Sequence, residues 1–164
     1  MDELQVPELI LASASPRRHS LLSQIGLSFD VRVSRIDESS FKDLPPAARV
    51  EALALAKAKA VADSVSKDVL VIGADTVVVC QDQVLGKPAS VREATAMLNF
   101  LSGRTHTVYT GVALVQVPGG KQKSTFASTD VTFNRLAPAV IDSYVATGEP
   151  MDKAGAYGIQ DQGA

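Results

Sequence analysis

The stretch DVLVIGADTVVV, residues 68–79, is apolar at nearly every position and breaks only at Asp75 and Thr76. Such a run, with no polar residue every second place, reads as a strand covered on both faces, which is the strand of an α/β layer structure. Working outward, residues 46–64 read as a long helix opened by Pro46, and QDQVLGKP, residues 81–88, reads as a hairpin and turn. Further upstream, ELILAS (8–13) is a short buried strand. PRRHSLLSQI (16–25) is a helix with Ser15 as N-cap, Pro16 at its first position and Gly26 as stop. SFDVRVS (28–34) alternates like a half-buried strand and leads into a polar loop, RIDESSFKDL (35–44).

Downstream, SVREATAMLNFLSG (90–103) carries a capping box, Ser90 with Glu93, an apolar stripe of Ala94, Met97, Leu98 and Leu101, and Gly103 at its end. THTVYTGVALVQV (105–117), the turn PGGK and STFASTDVTFN (124–134) pair as two long antiparallel strands, and PAVIDSYVAT (138–147) is a short helix before Gly148. A mixed, partly antiparallel sheet flanked by helices follows, in one α/β domain over residues 1–164.

Composition narrows the classes. A chain of 164 residues with 46% hydrophobic and 21% charged content suits one ordinary soluble domain. A net charge of -2 gives no overall pull toward nucleic acid or anionic lipid, and 5% aromatic content supplies little for stacking bases. The lone Cys80, inside an apolar run, builds neither a disulfide framework nor a zinc site and suits a reducing, cytoplasmic setting. The acidic start MDELQVPELILA does not read as a signal peptide, and no apolar stretch reaches the ~18 residues of a membrane span.

Several polar residues stand where packing alone would not place them. Arg17 and Arg18 occupy the first turn of a helix, the end that favours negative charge. A bound polyphosphate would resolve that conflict, with Ser13 and Ser15 adding donors; solvated surface charges paired with nearby carboxylates are the alternative. Asp75 in the apolar run needs a cation, a hydrogen-bond shell or a raised pKa, unless it ends the strand in a loop. Lys57 falls in the middle of the helix face made by Val50, Leu53, Ala54 and Val61, either as a site residue or with its stem packed and its ammonium reaching water. Glu38 and Lys87 lie in polar loops. His19 and His106 have no recognisable nucleophile partner, so a hydrolase triad is unsupported, and the Walker A and GxGxxG patterns are both missing. Cations, carboxylates and hydroxyls on successive strand-end loops point to a phosphate site.

In order along the chain, LILASASPRRHSLLSQIGLSFDV, IDES, LALAKAKAVA, VIGADTVVV, VLGKP, LSGRTHTVYTGVALV and GEPMDKAGAYGIQ resemble the successive motifs of the Maf family of nucleoside triphosphate pyrophosphatases. The resemblance implies a two-lobed Maf or ITPase-like fold with a cleft between lobes, a divalent metal cofactor (Mg2+ or Mn2+) and frequent homodimers. It also implies hydrolysis of a nucleoside triphosphate to the monophosphate and pyrophosphate. It implies catalytic roles for Glu38, Lys57, Asp75 and Lys87, metal ligation by Glu38 and Asp75, and substrate binding by Ser13, Arg17, Arg18, Thr76 and Gln160.

Where the branch acting on 7-methyl-GTP has tryptophan, glutamine and glutamate, this chain has Arg17, Thr76 and Gln160, which resembles the dTTP/UTP branch. Tryptophan would stack on a methylated cationic purine, and that feature is missing here. Family members usually continue with a strand, a loop and a closing helix beyond the point where this chain reads GIQDQGA, with Asp161 in place of the usual glycine. The expected product is therefore C-terminally short, and the competing expectation is a catalytically impaired nucleotide-binding or protein-interaction module.

Overall fold

The computed structural model describes residues 7–163. The acidic start in residues 1–6 and Ala164, the outer ends of the expected 1–164 domain, lie outside the described residues, as does the side chain of Asp161. In chain order the elements are β1 (Glu8–Leu11), α1 (Pro16–Gln24), β2 (Asp30–Val31), α2 (Pro46–Ala62), β3 (Val69–Cys80), β4 (Gln83–Leu85), α3 (Val91–Leu101), β5 (Thr105–Val117), β6 (Gln122–Thr132) and α4 (Pro138–Ala146). Short 3-10 turns at Ser39–Phe41, Glu149–Asp152, Ala154–Ala156 and Asp161–Gly163 complete the path.

Among the described residues the strands form one sheet in the order β2-β1-β3-β5-β6, with β4 also on β3. β1 runs parallel to β2 and to β3, with Leu11 opposite Val31 and Ile72, whereas β4 is antiparallel to β3. Thr105 bonds Thr132, Thr107 bonds Asp130 and Gln116 bonds Lys121, so β5 and β6 run antiparallel. The sheet is mixed, as the sequence implied.

Three elements depart from expectation. β3 is one unbroken strand through Asp75 and Thr76, because both residues keep their places in the sheet. β2 shrinks to two residues: its partner β1 ends at Leu11, and after Arg32 N–H reaches the Leu11 carbonyl there is no further strand to pair with. At α1, Ser15 holds the N-cap position without a side-chain capping bond; its own N–H is instead taken by Ser13 Oγ at 3.2 Å. The cap of α3 forms, with Ser90 Oγ accepting from Glu93 N–H at 3.1 Å, but the Glu93 carboxylate reaches back to the N–H of Ala89 instead of Ser90.

The contacts gather the described residues into two compact units, one made of those up to 75 with 110–127 and the other of 76–109 with those from 128 onward. In the first, α2 lays Ala58, Val61 and Ala62 against Ile10, Ala12, Val69, Val71 and Val115. Two strand glycines set how near the helix comes. A Cβ on Gly73 would overlap the Ala54 carbonyl oxygen and stand 2.9 Å from Ala58 Cβ, and one on Gly111 would overlap the Val50 carbonyl. Glycine inside a strand marks this kind of backbone approach. In the second unit the predicted stripe Ala94, Met97, Leu98 and Leu101 is buried with Val78, Leu85, Ile141, Val145, Ala156 and Tyr157.

Candidate active site

The first unit brings three chain segments to one end of its parallel strands. Ser13 follows β1, Glu38 follows β2, and Asp75 lies on β3 beyond its pairing with β1. Loops at the carboxyl ends of parallel strands are where α/β sheets bind ligands.

Lys57 joins two of these segments. Its Nζ lies 2.6 Å from Asp75 Oδ1 and 2.9 Å from Glu38 Oε1. The ammonium therefore does not escape to water: its side chain is only 16% exposed, while Lys59 points outward. The close seating of α2 on Gly73, two residues before Asp75 on the same strand face, is what brings Lys57 within reach. Asp75 has the cation that its place in an apolar strand demands, so the loop-aspartate alternative falls. Glu38 is half exposed, on a loop turned by the Ser39 N–H bond to Asp37 Oδ1 at 2.9 Å. That bond and the Ser39 hydroxyl hold the Asp37 carboxyl below its usual range.

Arg18 closes the other side. Its Nη1 donates to Ser13 Oγ at 3.0 Å and to the Ala74 carbonyl at 2.9 Å. Burial pulls the guanidinium below its ordinary value, the Asp75 carboxylate pulls it back up, and the Arg17 charge adds to the lowering. The surface-pair reading thus fails for Arg18, which is fixed one residue from Asp75. Arg17 is half-buried on the same helical turn.

Ser13, Arg18, Glu38, Lys57 and Asp75 are thus brought together. Thr76, Lys87 and Gln160 belong to the second unit, where Thr76 is half-buried on β3 and the other two are exposed. Gly73, Gly111 and the Ala74 carbonyl were not foreseen as parts of the site; an isolated glycine in each strand pattern was the readable signal for the first two.

Among the described residues no group of three or more His, Cys, Asp or Glu side chains is placed to hold a metal. Two carboxylates converging on one ammonium nevertheless form a hard oxygen donor pair of the sort that holds Mg2+ together with substrate phosphates and water. No described helix is long and apolar enough to cross a membrane.

An α/β sheet with a partly buried arginine and lysine, a buried aspartate and a half-exposed glutamate at the carboxyl ends of its parallel strands has the make-up of a protein that handles phosphorylated ligands. A family model described as Maf-like protein matches residues 8–164. The chain is 65% identical over 157 residues to a dTTP/UTP pyrophosphatase of Moorella thermoacetica, covering 96% of this chain and 80% of the relative. It is 51% identical to a dTTP/UTP pyrophosphatase of Pelotomaculum thermopropionicum, with coverages of 96% and 82%. A solved HAM1 protein from Coxiella burnetii aligns with a TM-score of 0.49 at 15% identity over 75% of this chain and 71% of that one. The chain belongs to the Maf family.

Proposed function

We propose that this protein hydrolyses dTTP and UTP between the α- and β-phosphates, releasing the nucleoside monophosphate and pyrophosphate as nucleotide-pool housekeeping in the cytoplasm. The observation that carries the reading is Lys57 held between Asp75 and Glu38 with Arg18 fixed beside them on the Ala74 carbonyl. The 65% identical relative supports the choice of bases.

Each residue then has a task. Arg18, Ser13 and the amino end of α1 bind phosphate oxygens, and the charge of Lys87 offsets that of the substrate. Lys57 keeps the two carboxylates converged and offsets negative charge as it moves onto the leaving pyrophosphate. Asp75 accepts the proton of a water whose oxygen forms the new bond to the α-phosphorus; the bond to the bridging oxygen breaks and pyrophosphate keeps its electron pair. Glu38 and Asp75 would hold a divalent cation, Mg2+ or Mn2+, which when bound supplies charge neutralisation on the phosphates. Arg17, Thr76 and Gln160 select the base. A homodimer acting without nucleic acid or a membrane completes the proposal; the net charge of -2 and 5% aromatic content support the last two points.

The test is product analysis. The purified protein is incubated with UTP, dTTP, other triphosphates and 7-methyl-GTP in the presence of Mg2+ or Mn2+. UMP or dTMP with pyrophosphate is expected, and chelation should abolish turnover. Release of inorganic phosphate with a nucleoside diphosphate would overturn the assignment.

A further inference from the structure

His106, on β5 in the second unit, takes no part in the reaction proposed above, yet it is only 2% exposed. Its Nε2 lies 2.7 Å from the Tyr157 hydroxyl, and its ring stands edge-on to Phe133 at 5.0 Å and to Tyr157 at 5.4 Å. The Phe133 and Tyr157 rings also meet edge-on, their centroids 4.6 Å apart. The other imidazole nitrogen, Nδ1, is buried with no hydrogen-bond partner among the described residues. An orphaned buried polar atom is unfavourable, and a phenylalanine would fill the same apolar space without one. The bond to Tyr157 is therefore what histidine adds at this position.

Tyr157 begins the last stretch before Gln160. Just ahead of it the backbone turns through left-handed geometry at Gly155 (φ +70°) and at Ala156 (φ +63°). An alanine rarely adopts that region unaided. Gly155 N–H donates to the Gly86 carbonyl at 3.0 Å, beside Lys87, and the buried Lys153 donates to the Glu149 carbonyl at 2.7 Å and to Asp152 at 3.0 Å. The turn is thus held against its own preference at both ends, and His106 provides the hold at Tyr157.

We propose that His106 is a positioning residue: by bonding Tyr157 it fixes the course of residues 154–160 and so the placement of Gln160, which sets selectivity for the uracil or thymine base. This rests on the base-reading role proposed for Gln160. Two readouts test it, on His106→Phe, Tyr157→Phe, the double variant and His106→Gln. The first is the ratio of kcat/KM for UTP to that for CTP. It should fall about tenfold in each Phe variant, the worth of one hydrogen bond, through KM and with the CTP rate unchanged. The double variant should be no worse than either single, and His106→Gln, which keeps a polar atom, should recover part of the ratio. The second is amide hydrogen exchange, which needs no substrate: residues 154–160 should exchange faster in both Phe variants while β3 and α3 keep wild-type protection. An unchanged UTP to CTP ratio, or unchanged exchange at 154–160, would overturn the inference. Wild-type protein that hydrolyses neither UTP nor dTTP would instead overturn the proposed reaction, leaving the hold on residues 154–160 to be judged by exchange.

Discussion

Asp75 is tolerated on a buried strand because an ammonium lies 2.6 Å from its carboxylate. The Lys57 stem would pack equally well as methionine, but the carboxylate would lose its partner. Lys57→Met is expected to lower the unfolding free energy in urea by about 1–3 kcal/mol and to abolish turnover. Adding Asp75→Asn should restore most of the stability and none of the activity, because the buried charge is gone but the site is not rebuilt. A single variant as stable as wild type would show that Arg18 alone compensates Asp75. The roles proposed for the two arginines are open to the same kind of test. Arg18 is anchored on Ser13 and Ala74, so Arg18→Ala should weaken every triphosphate alike. Arg17→Trp with Thr76→Gln and Gln160→Glu should shift the kcat/KM ratio between UTP and 7-methyl-GTP by about 1–3 kcal/mol. Equal losses on all substrates from the triple variant would assign Arg17 to the phosphates too.

At the scale of elements, α2 and β3 form the scaffold of the site, and two glycines set their spacing. Gly73→Ala places a methyl group on the Ala54 carbonyl, backbone against backbone, where no side-chain rotation relieves it. Loss of several kcal/mol is expected, on the order of 3 or more, seen as a large drop in thermal midpoint by circular dichroism. Gly26→Ala has open space around it and meets only the backbone cost of φ +81°, so it should be far milder. Comparable drops for the two would mean that helix seating is not what Gly73 provides. The cap of α3 offers a smaller, cleaner case: Ser90→Ala removes the acceptor of Glu93 N–H and should cost about 1 kcal/mol in urea.

For the whole molecule, the His106–Tyr157 pair writes a signature into the pH dependence of stability. Burial pushes the Tyr157 phenol up to about 12 from 10.0. A raised folded value stabilises fully below the unfolded value, so that contribution is lost as pH rises from about 10 through about 12, at most about 2–3 kcal/mol. Burial pushes His106 down from 6.5, so the unfolded chain takes up the proton first and stability falls as pH drops below about 6.5. Denaturant midpoints measured across pH should show both limbs in wild type. Tyr157→Phe should lose the alkaline limb and His106→Phe the acidic one; limbs that persist would place the titrations elsewhere.

The local chemistry of the sequence settled the helices and the long strands, and it marked out the polar residues of the candidate site. Proline starts, the Ser90 cap, glycine stops and the two-sided apolar run act within a few residues of themselves, and each element appeared close to where they put it. The same locality made Asp75, Lys57 and the arginine pair visible, as polar groups out of keeping with their neighbours. The tertiary structure alone decided which alternative each residue followed. Whether an ammonium reaches water or a carboxylate depends on how near α2 sits to β3, and that depends on Gly73 and Gly111 meeting Ala54 and Val50 from far along the chain. Whether β2 continues depends on where β1 ends, and what His106 does depends on Tyr157, which follows it by 51 residues. Ion pairs and close approaches are set by through-space distance, which folding fixes and local sequence does not carry.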